Sequence, residues 1–169
     1  SFVALQSKIT QNALKTNTIR GQPKLTGNLI FAEASQITKK HILYAVTLKS
    51  FYGLQYFGVE MYYEFLEDLT CLVNLQESIG LPVLVQLHPS ARESKDSLQK
   101  LFPQLKFSSN NISTCLKNSI LTISYSSTVI EGALYSKVPV ILFDQWKRYQ
   151  HCHAETDPST ENKAVYYVT

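Results

Sequence analysis

The sequence predicts an α/β fold, a parallel sheet covered by helices on both faces. Three observations predict it. Short apolar segments rich in β-branched and aromatic residues alternate with segments of helical periodicity. The connections between them are short, as in chains of βαβ crossovers. The strand segments are apolar almost throughout rather than alternating, as in strands buried on both faces.

Taken in order, residues 1–23 are expected to form an N-terminal helix and linker. Val3, Leu5, Ile9, Ala13 and Leu14 recur at loosely helical spacing, and Gly21, Pro23 and Gly27 of "GQPKLTGN" break the pattern. Residues 24–169 are expected to form the sheet domain. Its first strand is "HILYAVT", residues 41–47, followed by a long loop, "LKSFYGLQYFG", carrying glycines and aromatics. Between Glu60 and Ile79 the apolar residues Met61, Phe65, Leu69, Leu72, Val73 and Leu75 mark one helical stripe, with Gly80 and Pro82 as its stop. "VLVQL" (83–87) is the second strand, "HPSARESKD" a loop into a helix near 94–101, and "QLKFSS" a short third strand. "NNISTCLKN" supplies a turn and short helix before the fourth strand, "SILTIS" (119–124). A helix over about 128–135, a fifth strand "VPVILFD" (138–144) and a sixth "AVYYV" (164–168) complete the pattern. The expected strand order is 3-2-1-4-5, with the sixth beside the fifth. Ligands of such sheets bind beyond the carboxyl ends of the strands, where strand order reverses. In this chain that point lies between Thr47 and Ser124.

Composition narrows the classes of function. The chain has 169 residues, 44% of them hydrophobic and 17% charged, which suits one globular domain with a sizeable core. A net charge of +3 fits an anionic small molecule but lacks the basic blocks of a nucleic-acid binder. The apolar runs are too short to span a bilayer and no signal peptide opens the sequence. Three cysteines (Cys71, Cys115, Cys152) without a CxxC pair point to a reducing, cytoplasmic compartment.

The chemistry concentrates in "ISYSSTVIEGALYSKVPVIL", residues 123–142. Tyr125, Ser126, Ser127 and Thr128 lead from a strand into a helix, where unsatisfied backbone N–H groups and hydroxyl donors can hold a phosphate. The competing account is a capping box, Thr128 with Glu131, which leaves Ser126 and Ser127 unused. Glu131 can accept the two hydroxyls of a ribose. His88 precedes Pro89 at the end of the second strand, so its backbone is held extended and its side chain can reach a phosphate or serve as an acid. Arg92 is a further positive charge or simply a solvated one. "HCH" (151–153) resembles a metal motif only superficially, because adjacent residues do not readily converge on one ion and no second cluster is in view. No glycine-rich dinucleotide fingerprint, no G-x-S-x-G and no P-loop lysine motif occurs.

"LTGN" leading into "ILYAVT", then "VLVQLHP", then "ILTISYSSTVIEGALYSKVPVILFD", resembles the C-terminal, donor-binding half of GT-B glycosyltransferases of bacterial surface polysaccharide synthesis. The polysialyltransferase-like and CDP-glycerol glycerophosphotransferase-like enzymes are the nearest in pattern, with a more distant likeness to UDP-N-acetylglucosamine 2-epimerases. The likeness runs from about Lys24 to Asp144, and rests on a His-Pro after a strand followed by S-S-T-x-x-E-x-A and, further on, P-V-I. It implies a Rossmann-like domain, one half of a GT-B fold. It also implies that His88 faces the donor phosphate as the catalytic residue, that Ser126, Ser127 and Thr128 bind that phosphate, and that Glu131 takes the ribose. The implied substrate is a nucleotide-sugar or CDP-alcohol donor and the implied acceptor a glycan, with no metal or other cofactor. An acceptor-binding N-terminal domain and work at the inner face of the membrane belong to the same picture. This chain departs from the pattern at Gly132 and Ser136, and only one Rossmann-like domain fits its length. Two alternatives share the phosphate site: a 2-epimerase-like isomerase, and a non-catalytic nucleotide- or partner-binding module using the aromatics of "FYGLQYFG".

Overall fold

The computed structural model describes residues 2–5, 8, 11, 20–26, 40–46, 57–147 and 150–169. Six strands form one parallel sheet: β3 (His41–Ala45), β4 (Val83–Gln86), β5 (Lys106–Ser108), β6 (Ser119–Ser124), β7 (Val140–Phe143) and β8 (Val165–Val168). Their spatial order is β5-β4-β3-β6-β7-β8, which is the order expected from the sequence, with the sixth strand in place beside the fifth. The reversal falls between β3 and β6, the two central strands, which pair in parallel from His41–Ser119 to Tyr44–Ile123.

Two-residue periodicity sends the side chains of each strand to opposite faces, and each face has its own helices. On one side Ile42, Tyr44 and Val46 pack with Phe65, Leu69 and Leu72 of α1 (Phe57–Ile79) and Leu98 of α2 (Lys95–Leu101). On the other, Leu43, Val140 and Leu142 pack with Leu116 of α3 (Ile112–Lys117) and with Ile130 and Ala133 of α4 (Val129–Tyr135). Leu69 and Leu116 are fully buried, and each such side chain contributes about 2 kcal/mol from removal of apolar surface from water.

The helix α1 ends where the sequence places its stop. Gly80 takes φ +67 and donates its N–H to the Gln76 carbonyl at 3.0 Å, a left-handed cap that residues with a Cβ adopt only under strain. Gln76 then links helix to sheet, its Oε1 accepting the Val83 N–H at 2.8 Å and its Nε2 donating to the Gln104 carbonyl at 3.0 Å.

The N-terminal region departs from expectation. Phe2–Leu5 is a strand, β1, paired in parallel with β2, Gln22–Leu25. The strand takes Val3 and Leu5 out of the expected helix, while Lys8 and Gln11 have helical backbone. The residues expected to be linker include a strand, and β2 crosses the boundary drawn at residue 24. Val3 and Leu5 have strand spacing as well as loosely helical spacing, and in so short a run the two cannot be told apart by period. Pro23 is accommodated because β2 has a single hydrogen-bonded neighbour among the described residues, so its missing N–H need not belong to a ladder. Gly27, expected to help break the helical pattern, the strand end at Thr47 and residues 48–56 of the aromatic loop lie outside the described residues.

Candidate functional site

The site is built on the turn from β6 into α4. Ser124, the last residue of β6, is fully buried and donates its hydroxyl to the Ala45 carbonyl at 3.1 Å, joining the carboxyl ends of the two central strands. The chain then leaves the sheet through Tyr125, Ser126 and Ser127, all half-buried. Ser127 does the capping. Its carbonyl accepts the Ile130 N–H at 3.1 Å, and its Oγ accepts the Val129 N–H at 3.2 Å.

The hydroxyl half of the capping box, from Thr128, does not form. Thr128 is exposed, has φ −61 and ψ −13, and makes no side-chain cap bond. With helical dihedrals at Thr128 the residue already belongs to the helix, and a capping side chain ordinarily requires extended backbone. The cap therefore falls one residue earlier, on a serine that the box would have left unused. Glu131 sits half-buried one turn inside α4. Burial first, and then the negative charge of Glu131, push the Cys152 thiol above the ordinary range of a cysteine.

His88 follows β4 and is half-buried. Its carbonyl accepts the Ala91 N–H at 2.9 Å, opening the 3-10 turn Pro89–Ser94. The strand end that presents it is fixed from below by the buried Gln86, whose Nε2 donates to the Asn110 carbonyl at 2.9 Å and whose Oε1 accepts from the Cys115 thiol at 3.1 Å. Arg92 is exposed in the same turn.

The four residues of the β6–α4 segment, Ser126, Ser127, Thr128 and Glu131, thus share one turn of chain. His88 shares their sheet edge but stands on β4, across β3 from β6. Two strand spacings put the two strand ends about 10 Å apart.

The structure adds residues that the motifs did not mark. His151, set aside with the "HCH" triplet, places its Nδ1 3.0 Å from Ser126 Oγ. Asp144, at the end of β7, is buried with its carboxylate accepting the Tyr167 hydroxyl at 3.1 Å and the Trp146 N–H at 3.3 Å. Its position at a strand's carboxyl end was a visible signal. That of His151 was not, because nothing in the sequence says where the chain travels after β7. Among the described residues no group of three or more His, Cys, Asp and Glu side chains converges as a metal site. No helix of those residues is long and apolar enough to cross a membrane. A surface cleft of about 440 Å³ bounded by Gln76, Gly80, Pro82 and Lys106 opens at the opposite, amino edge of the sheet, away from this chemistry.

Compared with protein-family models, curated proteins and solved structures, the chain matches none. The assignment of function therefore rests on the sheet edge itself.

Proposed function

We propose that this chain is the donor-binding domain of a GT-B glycosyltransferase acting on a nucleotide-activated donor. The observation that carries the proposal is the position of the hydroxyl turn at the crossover between β3 and β6, with His88 on the same carboxyl edge. Ser126 and Ser127 hold the donor phosphate, together with the first backbone N–H groups of α4. Thr128 lies at the exposed rim of that turn. Glu131, one turn deeper, takes the ribose hydroxyls. His88 donates a hydrogen bond to the departing phosphate, or a proton, offsetting the charge that develops as the glycosyl bond breaks. The acceptor is a surface glycan, and the reaction runs on the cytoplasmic side of the membrane with an acceptor-binding domain completing the cleft.

Calorimetric titration with CMP, CDP and UDP tests the proposal. At least one nucleotide is expected to bind, and His88→Gln to weaken the diphosphates about tenfold, the loss of one charge-assisted hydrogen bond. Absence of heat with all three nucleotides overturns the assignment.

A further inference from the structure

In a parallel sheet the strands start, and the returning helices end, at one edge. In this chain that amino edge is basic. Lys106 opens β5, and Lys40 stands one residue before β3. Lys100 lies in the last turn of α2, Lys117 ends α3, and Lys137 follows α4 on the way to β7. All five are exposed, and none forms an ion pair among the described residues. From β5 to β7 the one carboxylate that the described residues place at this edge is Glu77, in the last turn of α1. Beyond β7 the charge is balanced: Lys163 lies 4.0 Å from Glu155, and Glu161 stands two residues before it. Lys100 and Lys117 complement helix C-termini, an ordinary placement. Lys137 is different. Its φ of +57 is the left-handed conformation that usually falls to glycine, so a lysine there is kept against a backbone cost.

The same edge exposes apolar side chains. Helix α1 ends in Ile79 (45% exposed), α2 in Leu101 (60%) and α4 in Tyr135 (39%). They come singly and from both faces of the sheet, so they stand around the edge rather than in one groove. Beside Lys106 lies the cleft of about 440 Å³, walled in part by Leu81 and Pro82.

The spacing of these groups selects the partner. Four strand spacings separate β5 from β7, about 19 Å, whereas charges in physiological salt are screened over about 8 Å. A small anion therefore neutralises one or two of the lysines, and only an extended anionic surface engages all five. The charges are ammonium groups on flexible stems, without the planar forks of arginine that suit nucleic acids and phosphorylated side chains. Lysines interspersed with apolar tips match a bilayer interface, where anionic headgroups draw the lysines and the acyl boundary takes the apolar groups.

We infer that the amino edge of the sheet is a docking face for an anionic membrane surface, held by its five lysines and by the apolar ends of α1, α2 and α4. This face is separate from the donor site, which lies at the opposite edge. Docking there lifts the turn after β6 about 20 Å above the headgroups, the length of that six-residue strand, and leaves it open to water.

The test is sedimentation of the intact chain with two kinds of vesicle, phosphatidylcholine alone and phosphatidylcholine mixed with an equal amount of phosphatidylglycerol. Binding is expected to the mixed vesicles only. Raising salt from about 0.1 M to about 1 M, which shortens screening from about 10 Å to about 3 Å, is expected to release most of the chain. Replacing Lys106, Lys117 and Lys137 together by glutamine is expected to weaken binding about a hundredfold, about fivefold for each charge. Removing equal charge from the opposite edge, with Arg92, Lys95 and Lys147 replaced by glutamine, is expected to change it less than about threefold. Leu101→Asn is expected to weaken it about fivefold. Circular dichroism checks that each variant keeps its fold. No preference for the mixed vesicles, or equal losses from the two triple variants, overturns the inference. Binding to polyglutamate as tight as to vesicles, and unmoved by Leu101→Asn, also overturns it and gives the edge to a soluble acidic partner.

Discussion

The cap of α4 distinguishes two serine and threonine roles that the sequence alone leaves open. In the structure Ser127 Oγ accepts the Val129 N–H at 3.2 Å, whereas Thr128 makes no cap bond and is exposed. Replacing a capping serine by alanine costs about 1 kcal/mol. Ser127→Ala should therefore lower stability by about that amount. For a chain of this size that corresponds to a fall of about 3 °C in Tm, or about 0.5 M in the urea midpoint. Thr128→Ala removes no cap bond and should stay within about 0.5 kcal/mol of the parent. The two variants also separate on binding. The Val129 N–H occupies one lone pair of Ser127 and leaves its O–H to donate, so the same hydroxyl can cap the helix and hold a phosphate. Ser127→Ala should accordingly weaken diphosphate binding as well, by about fivefold to tenfold. Urea unfolding followed by far-ultraviolet circular dichroism, with calorimetric titration on the same samples, measures both quantities. If Thr128→Ala costs as much as Ser127→Ala or more, the helix is capped by Thr128 with Glu131 after all, and Ser127 has no capping role.

Three further outcomes are expected. Tyr44→Phe removes the 2.7 Å bond from a buried phenol to Asp68, and should cost about 2 kcal/mol in urea unfolding, because the carboxylate loses its phenol donor and must rely on bonds such as the 3.1 Å one from Gln145. Burial is the larger influence lowering the His41 pKa from 6.5, so the unfolded chain binds the proton more readily. The stability His41 contributes is thus intact above pH 6.5 and is lost as pH falls below it, and His41→Gln should flatten the pH dependence of unfolding in that acid window. Glu131→Gln removes the charge that raises the Cys152 thiol further after burial, so alkylation of Cys152 near pH 8 should speed up, as read by mass spectrometry.

The sheet was legible because its signal is redundant. Ile42, Leu43, Tyr44 and Ala45 are all buried, so the segment reads as a strand whichever face is considered, and in the next strand Val83 and Val85 are buried on one face with Leu84 half-buried on the other. Strand order then follows from crossover rules that leave few options. The candidate phosphate residues were legible because they sit at strand ends, where the fold itself names the functional edge. The cap was misplaced by one residue because three hydroxyl side chains in a row satisfy the same composition rule, and only the Thr128 dihedrals decide among them. His151 was out of reach for a different reason. Its partner lies 25 positions away, across a helix and a strand, and the chain near it is held by a bridge between Glu155 and Tyr166 that no local pattern announces. At the N-terminus, four residues of strand are too few to give a period that contradicts a helix.

The bridge at Glu155 has a consequence beyond the site. A sheet of this kind has two open rims, and each is a template on which another chain can polymerise. The β5 rim is only three residues long and begins with an exposed lysine, which makes it a poor template. The β8 rim is richer in hazard, Val165-Tyr166-Tyr167-Val168 being four β-formers in succession. Among the described residues, the backbone of Glu155, bonded at Val165 and Tyr167, is what stands between that rim and a neighbouring molecule. The same stretch of chain that carries His151, hydrogen-bonded to Ser126, is therefore also the guard of the aggregation-prone border. Proteolytic nicking between residues 150 and 155 is expected to loosen that cover and change the colloidal behaviour of the protein.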